Sequence, residues 1–165
     1  MSSDDEYTAY VSSRLAWLTR VAFLLCQDRA RADDLVQTAI TRLYVRWPRV
    51  SQVENLDGYT RTVLVHVFLG EQRTSWWRRV AVTREVPETA RPCADLDQAE
   101  DLRAALASLP PRQRAAVVLR FYCDLSVDDT AAALGCTAGT VKSQTSRALA
   151  SLRRLLEPRL EGNPT

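Results

Sequence analysis

The chain has 165 residues, of which 46% are hydrophobic, and its formal net charge is +2 at pH 7. This length allows one domain or two small ones, and the apolar content is sufficient for a buried core in either case. The small net charge excludes a general polycation, so a nucleic-acid surface would have to come from local clustering of basic residues. Such a cluster exists, because residues 138–160 contain five basic residues and one acidic residue.

Cysteine and histidine content argues against a metal site. The four cysteines stand at Cys26, Cys93, Cys123 and Cys136. They form no CxxC pair and His66 is the single histidine, so we expect no metal, no cofactor and no disulfide framework. The acidic N-terminus, and Arg20 within the most apolar segment, argue against a signal peptide and a membrane span. We therefore expect a reduced, cytoplasmic protein with no membrane insertion.

Apolar residues recur at helical spacing in three segments of the first half of the chain. The first stripe comprises Tyr7, Val11, Leu15, Leu18, Ala22 and Leu25. The second comprises Ala32, Leu35, Val36, Ala39, Ile40 and Leu43, and the third comprises Leu56, Tyr59, Val63, Leu64, Val67 and Phe68. These stripes predict a three-helix bundle. We expect the second helix to end at Trp47-Pro48, because proline disfavours helix in the residue before it, and Asn55 to cap the third.

Helical periodicity fades over residues 81–98, where prolines and mixed charges predict a flexible linker. Beyond it, Leu102, Leu106 and Leu109 predict a short helix that stops at Pro110-Pro111, and residues 113–122 predict another. We find neither a repeat nor a strand pattern. The predicted fold class is all-α, with two small helical domains joined by the linker.

The segment after residue 125 has the spacing of a helix-turn-helix. Ala131 is small enough for a close helix crossing, and Gly135 can adopt the positive φ that the turn requires. Thr137 can cap the second helix. The inward stripe of that second helix comprises Val141, Thr145, Ala148, Leu152 and Leu155.

The opposite face of this second helix carries residue types that contact phosphates and base edges. These candidate DNA contacts are Thr140, Lys142, Ser143, Gln144, Ser146 and Arg147. A basic outer face alone is more typical of a solvated helix, which is the alternative. The helix-turn-helix spacing in front of it favours a DNA recognition helix.

Three motifs carry a resemblance to a known family. They are Asp-Asp-Leu-Val-Gln at 33–37, Leu-Pro-Pro-Arg-Gln-Arg at 109–114 and Leu-Gly-Cys-Thr-Ala-Gly-Thr-Val-Lys-Ser at 134–143. With them the chain resembles the extracytoplasmic-function (group 4) sigma factors of the sigma-70 family, and within them the actinobacterial sigma-E-like branch. The resemblance implies sigma region 2 at residues 1–80, a three-helix bundle, and sigma region 4 at residues 99–160, the helix-turn-helix.

The resemblance also implies partners. Region 2 of such proteins binds the clamp helices of the β′ subunit of core RNA polymerase, region 4 binds the β flap, and both bind promoter DNA. The implied polymerase contacts are Asp34, Gln37, Thr38 and Arg42. The alternative is that these side chains only solvate their helix. Whether a separate anti-sigma protein binds the chain stays open.

The resemblance implies that the loop from Pro48 to Asp57 and the start of the third helix capture an unstacked base of the -10 promoter element. The implied -10 contacts are Arg49, Asn55, Arg61, His66, Arg73, Trp77 and Arg78. His66 stands where many relatives have asparagine, so it either changes the -10 preference or is inert. Gln144 and Thr145 depart from the family in the recognition helix and leave the -35 preference open.

The sequence therefore predicts an alternative sigma factor that binds core polymerase, recognises -35 and -10 elements and promotes initiation. It is not expected to be an enzyme. The alternative is a stand-alone helix-turn-helix regulator, which would bind a palindrome as a symmetric oligomer without polymerase. A small helical enzyme is disfavoured by the lack of a phosphate-binding loop or metal-ligand spacing. A protein adaptor would tolerate loss of Lys142 and Arg147.

Overall fold

The computed structural model describes the backbone of residues 1–81 and 98–160 and the side chains of residues 1–73 and 100–157. Seven α-helices occupy this part of the chain, and no strand does. The helices are α1 (Ser3–Cys26), α2 (Arg29–Val50), α3 (Leu56–Ala81), α4 (Gln98–Ser108), α5 (Pro111–Val117), α6 (Val127–Leu134) and α7 (Ala138–Leu160). A π-helical turn, Val118–Tyr122, continues α5. The all-α class is confirmed for the described residues, while the expected linker falls mostly outside them.

Side-chain caps begin the helices of the N-terminal bundle, which we define as α1 to α3. Ser2 and Asp5 form a capping box at the start of α1, and the Asp28 side chain accepts a hydrogen bond from an amide in the first turn of α2. At α3 the Oδ1 of Asn55 accepts a hydrogen bond from the backbone N–H of Gly58 at 3.0 Å. Each cap satisfies an amide that has no partner within its own helix. The capping role predicted for Asn55 is confirmed.

Helix α2 does not end at Trp47-Pro48, so that prediction is wrong. The helix continues through Pro48 to Val50, and the N–H of Ser51 donates to the carbonyl of Trp47 at 2.9 Å. Proline in the last turn removes only one intrahelical bond, the one to the carbonyl four residues earlier. That carbonyl belongs to Tyr44, an exposed residue.

An aromatic cluster holds this last turn of α2 against α1. The Trp47 side chain is buried, and its ring centroid lies 5.5 Å from that of Tyr7 and 5.6 Å from that of Tyr10. The Tyr7 hydroxyl donates to the carbonyl of Ile40 at 2.6 Å. Because large aromatic side chains bury much apolar area, these contacts favour a helical turn that proline alone would disfavour.

The predicted inward stripes are correct with two exceptions. Leu15 is 41% exposed and Leu155 is 46% exposed, so neither belongs to the core. In α1 the neighbouring position faces α3 instead, where Arg14 pairs with Asp57. In α7 the apolar contact passes to Leu156, which packs partly buried against its core cluster. Adjacent helical positions point about 100° apart, so only one of each pair can face inward.

The N-terminal bundle shares its hydrophobic core with the C-terminal unit, which we define as α4 to α7. One continuous cluster joins residues of α1, α2 and α3 to residues of α5, α6 and α7. Its fully buried members include Leu18, Leu25, Leu35, Leu64, Phe68, Leu119 and Val141. A second cluster joins α4, α5 and α7, and Leu24 of α1 packs against it. The two helical units therefore form one packed body in this structure.

Candidate nucleic-acid interface

Helices α6 and α7 form the predicted helix-turn-helix. Ser126 caps α6 by accepting a hydrogen bond from the N–H of Asp129 at 3.0 Å. Gly135 ends α6 with a φ of 67°, a left-handed conformation that glycine adopts without a side-chain clash. The hydroxyl of Thr137 then accepts from the N–H of Thr140 at 3.1 Å and begins α7. The roles predicted for Gly135 and Thr137 are confirmed.

The inner face of α7 holds it against the rest of the C-terminal unit. Val141 and Ala148 are fully buried and Leu152 is 7% exposed. Ala131 of α6, at 7% exposure, belongs to the same core cluster as Val141. This packing fixes which face of α7 points outward. The hydroxyl oxygen of Thr145, half-buried beside the core, has no hydrogen-bond partner.

Most candidate -35 residues lie on the outer face of α7. Five of the six are exposed: Thr140, Lys142, Ser143, Ser146 and Arg147. The Thr140 hydroxyl lies 2.9 Å from that of Thr137, so it is engaged in the cap. Gln144 is half-buried. The helix thus presents one lysine and one arginine to solvent over its first three turns, with short polar side chains between them.

The candidate -10 residues are divided among three places. Arg49 and Asn55 are exposed on either side of the α2–α3 connection. His66 and Arg73 are exposed on α3, seven residues apart and therefore on one side of the helix. The side chains of Trp77 and Arg78, although in the range of α3, lie outside the described residues.

Arg61 is the -10 candidate that the structure places elsewhere. Its guanidinium lies 5.2 Å from the centroid of the Trp17 ring, a cation–π distance, and its Nε is buried without a hydrogen-bond partner. Burial raises the pKa of the nearby Cys123 thiol, and Arg61 partly opposes that rise by charge and hydrogen bonding. Arg61 is therefore partly buried and contacts both units.

A cleft of about 510 Å³ separates α3 from the start of α5 and from α7. Arg73 lines it from α3, Arg112 from α5 and Arg147 from α7. Gln144 and Leu69 also line it, and no acidic residue does among the side chains that the structure describes. The cleft therefore has a positive lining, and it contains residues implied for both promoter elements.

The candidate polymerase contacts lie along α2. Asp34, Gln37 and Arg42 are exposed, and Thr38 is half-buried with its hydroxyl donating to the carbonyl of Asp34 at 3.0 Å. Further along the same helix, Val45 is 74% exposed. Val45 adds apolar area to the face of α2 that carries Asp34 and Thr38, because it lies eleven residues after Asp34 and so on the same side of the helix.

Sequence reasoning missed three features of this region. Val45 stands outside the inward stripe of α2, and that displacement was the available signal. Arg112 of the cleft sits in the recognised Pro-Pro-Arg motif, but the motif does not indicate which way the side chain points. The burial of Arg114 had no signal, because arginine is seldom buried.

The described side chains contain no group of three or more histidine, cysteine or acidic residues that could hold a metal ion. Cys26, Cys123 and Cys136 are free cysteines. Burial raises the pKa of the Cys26 thiol to about 11. Among the helices described, none is long and apolar enough to cross a bilayer. Cys93 lies outside the described residues.

A helix-turn-helix with a basic outer helix, packed on a three-helix bundle, defines a helical DNA-binding protein. Comparison with known families specifies the class. Residues 10–78 match the family described as Sigma-70 region 2, and residues 99–152 match the family described as Sigma-70, region 4. The chain belongs to the sigma-70 family, in its extracytoplasmic-function group of alternative RNA polymerase sigma factors.

Individual relatives agree with this assignment. The chain is 41% identical over 161 residues to the RNA polymerase sigma-E factor of Streptomyces avermitilis, covering 93% of this chain and 87% of the relative. It is 33% identical over 159 residues to the ECF RNA polymerase sigma factor EcfG of Rhodopseudomonas palustris, covering 92% and 83%. Among solved structures, the sigma factor RpoE of Bartonella quintana, in complex with the anti-sigma factor NepR, superposes with a TM-score of 0.72 at 27% identity, covering 92% of this chain and 96% of that one.

Proposed function

We propose that α7 recognises the -35 promoter element and that α3 with its flanks recognises and opens the -10 element. The observation that carries the proposal is the helix-turn-helix geometry, in which Gly135 turns the chain and Val141 buries one face of α7. That arrangement leaves Lys142 and Arg147 exposed on the other face. Cationic side chains on a recognition helix contact phosphates or guanine in the major groove.

The -10 role belongs to the N-terminal bundle. His66 and Arg73 share one side of α3, and Arg49 and Asn55 lie near its beginning. A melted strand needs a positively charged path and a pocket for an unstacked base. Arg61 would join this path only after leaving its contact with Trp17, and Trp77 and Arg78 complete the proposed set.

The outer face of α2 is the proposed site for core polymerase. Asp34, Gln37 and Arg42 supply exposed polar groups, Thr38 borders them, and Val45 adds apolar area. The β′ clamp helices are the proposed partner of this face, and the β flap that of the C-terminal unit. The proposed domains are residues 1–80 for region 2, 81–98 for the linker and 99–160 for region 4.

In this account the chain has no catalytic chemistry and acts in the cytoplasm as a specificity subunit. It requires no cofactor, because polymerase supplies the active site. A separate anti-sigma protein is a further proposed partner. The support is the similar sigma factor of Bartonella quintana, which was solved in complex with the anti-sigma factor NepR.

Holoenzyme assembly tests the polymerase face. The chain carrying Asp34→Ala should bind core polymerase more weakly, by about tenfold if the carboxylate makes one charge-assisted contact of the usual strength. Asp33→Ala is a matched control, because Asp33 is also exposed but projects about 100° away around the helix. Equal binding by both variants would contradict the assignment of this face.

DNA binding with and without core polymerase distinguishes a stand-alone regulator from a sigma factor. A regulator would bind a palindromic site without polymerase and as a symmetric oligomer. The proposed sigma factor would need core polymerase for specific promoter binding, because its two recognition surfaces must be spaced along DNA.

A further inference from the structure

Three arginines from three different helices line the cleft between α3, α5 and α7. Arg73 belongs to α3, Arg112 to α5 and Arg147 to α7, and all three side chains are exposed. Among the described side chains the one ion pair is that of Arg14 with Asp57, so none of the three arginines has a carboxylate partner there. The fold therefore brings three positive charges to one cleft without an anion from the described part of the chain.

This convergence favours a bound anion. Like charges that share a cleft repel one another, and apolar walls strengthen the field inside the cleft. Leu69, Pro110 and Pro111 form apolar parts of this wall. An anion between the arginines replaces the repulsion with attraction, and each guanidinium gains charge-assisted hydrogen bonds to it.

Promoter recognition does not account for the convergence. Arg73 and Arg147 are proposed contacts to two promoter elements that are separated along the DNA, so promoter binding does not require these side chains to meet. Arg112 and Gln113 line the same cleft and belong to neither proposed set of promoter contacts. The cleft thus has lining residues for which the proposed function gives no role.

The size and lining of the cleft indicate the class of the anion. Its volume is about 510 Å³, within the range of roughly 300–1,000 Å³ that small-molecule sites occupy. The planar fork of an arginine matches two phosphate oxygens at once. A single phosphate group carries a charge of at most about −2, so three arginines suit a chain of two or three phosphates better. Amide groups that can bond to further polar atoms come from Gln72, Gln113 and Gln144.

We propose that this cleft binds the diphosphate or triphosphate group of a small anion, and that Arg73, Arg112 and Arg147 hold it. Free inorganic polyphosphate and a nucleoside triphosphate share this chemistry. The inference goes beyond the proposed function and does not depend on it, because the lining of the cleft is independent of the roles assigned in promoter binding. Failure of the anion site would therefore leave those roles untouched.

Isothermal titration calorimetry of the full chain tests the site, with inorganic tripolyphosphate, ATP and orthophosphate as separate ligands. The titrations use about 0.15 M salt, where interactions between distant surface charges are largely screened. Tripolyphosphate or ATP should bind saturably with one ligand per chain, and orthophosphate should bind at least about tenfold more weakly. The tighter of the first two ligands identifies the source. Absence of saturable binding by both would overturn the proposal, as would equal binding of orthophosphate.

A charge-matched pair of variants locates the site. Arg112→Gln should weaken binding of the tighter ligand about tenfold, because it removes one charge-assisted contact. Arg153→Gln is the matched control: it removes the same charge from an exposed position on α7 that does not line the cleft. Its affinity should change by less than about twofold. Equal loss from both variants would mean diffuse attraction to a basic surface and would overturn the site.

Thermal unfolding provides a second readout, because a ligand that binds only the folded cleft stabilises the fold. At about one hundred times its dissociation constant, the ligand should raise the Tm of the wild-type chain by roughly 5–10 °C. The same ligand concentration should raise the Tm of Arg112→Gln by clearly less. Circular dichroism of both variants without ligand should match that of the wild type. An equal rise in Arg112→Gln and wild type would overturn the assignment of the anion to this cleft.

Discussion

The Nε of Arg14 donates to the Oδ1 of Asp57 at 2.8 Å, in an ion pair that connects α1 to the first turn of α3. The Tyr10 hydroxyl donates to the same oxygen at 2.8 Å. Arg14 and then burial act in opposite directions on the carboxyl, and the net effect lowers the pKa of Asp57 below its ordinary value of 3.8. Burial raises the pKa of Tyr10 to about 12. The start of α3, where Asn55 is proposed to meet DNA, is held by this network.

Replacement of Asp57 should reveal an acid-dependent contribution to stability. Because the folded-state pKa is lowered, the contribution is fully present above pH 3.8 and is lost as the pH falls through the lower folded value. The two side chains are 39% and 41% exposed, so solvent screening limits the pair to about 1 kcal/mol or less. Urea unfolding of Asp57→Asn against wild type should show this difference at pH 6 and a smaller one near pH 3.

A double-mutant cycle with Arg14→Gln separates the ion pair from the tyrosine bond. The coupling between the two substitutions should be positive at pH 6 and diminish in acid. A stability difference that grows as the pH falls would contradict the lowered pKa.

Gly135→Ala should destabilise the chain by roughly 1–2 kcal/mol, the cost of a left-handed conformation for a residue with a side chain. The φ of 67° is the cause, because a Cβ at this position would meet no atom within 4 Å. Thermal unfolding measures the effect. Gly70→Ala is the matched control: a Cβ there also meets nothing within 4 Å, but the residue lies inside α3. This control should be stabilised by roughly 0.5–1 kcal/mol. If both substitutions stabilised the chain, the left-handed turn at Gly135 would be contradicted.

Alanine substitutions at Lys142 and Gln144 should change promoter binding in different ways. Lys142→Ala should weaken holoenzyme binding to all promoters alike and reduce the salt dependence by about one phosphate contact. Gln144→Ala should relax preference at one position of the -35 element, by about 1–3 kcal/mol. Promoter binding measured over a salt series and a set of single-base variants distinguishes them. Uniform, salt-dependent loss from both variants would mean that Gln144 does not contact a base.

His66→Asn tests whether the histidine selects a -10 sequence. The side chain is exposed on the same side of α3 as Arg73, so the substitution should leave stability nearly unchanged. If His66 contacts a base, the preferred -10 sequence should change at one position in a selection from randomised promoters. An unchanged -10 consensus would mean that His66 does not contribute to the -10 preference.

Local structure was largely predictable from the sequence. Caps at Asn55 and Thr137 and the turn at Gly135 depend on neighbouring residues alone, and these predictions are confirmed. The end of α2 was not predictable in this way. Proline disfavours helix in the residue before it, but aromatic contacts of Trp47 with α1, which is distant in sequence, keep this turn helical. The prediction that Leu15 faces inward was wrong for a related reason. Positions 14 and 15 both fit the helical period, and the ion pair of Arg14 with Asp57 of α3 turns position 14 toward the bundle.

The packing of the N-terminal bundle against the C-terminal unit could not be predicted from the sequence pattern. Periodicity identifies an apolar face but not the helix that covers it, so Phe68 and Leu119 gave no sign of sharing one core. Arg61 shows the same limit within the candidate site. Its basic side chain suited a DNA path, whereas in the fold its guanidinium stacks on Trp17 and interacts with Cys123 of the C-terminal unit. The motif at 134–143 was sufficient to predict the helix-turn-helix, because it specifies a local geometry.

In vitro transcription by core polymerase on a library of randomised promoter fragments, with and without this chain, tests the central claim most directly. The account predicts that the chain enables transcription from fragments that carry paired -35 and -10 motifs at a fixed spacing, and that core polymerase alone does not select them. Failure to bind core or to initiate any transcript, with the chain alone retaining a palindromic fragment, would contradict the account and favour a stand-alone regulator.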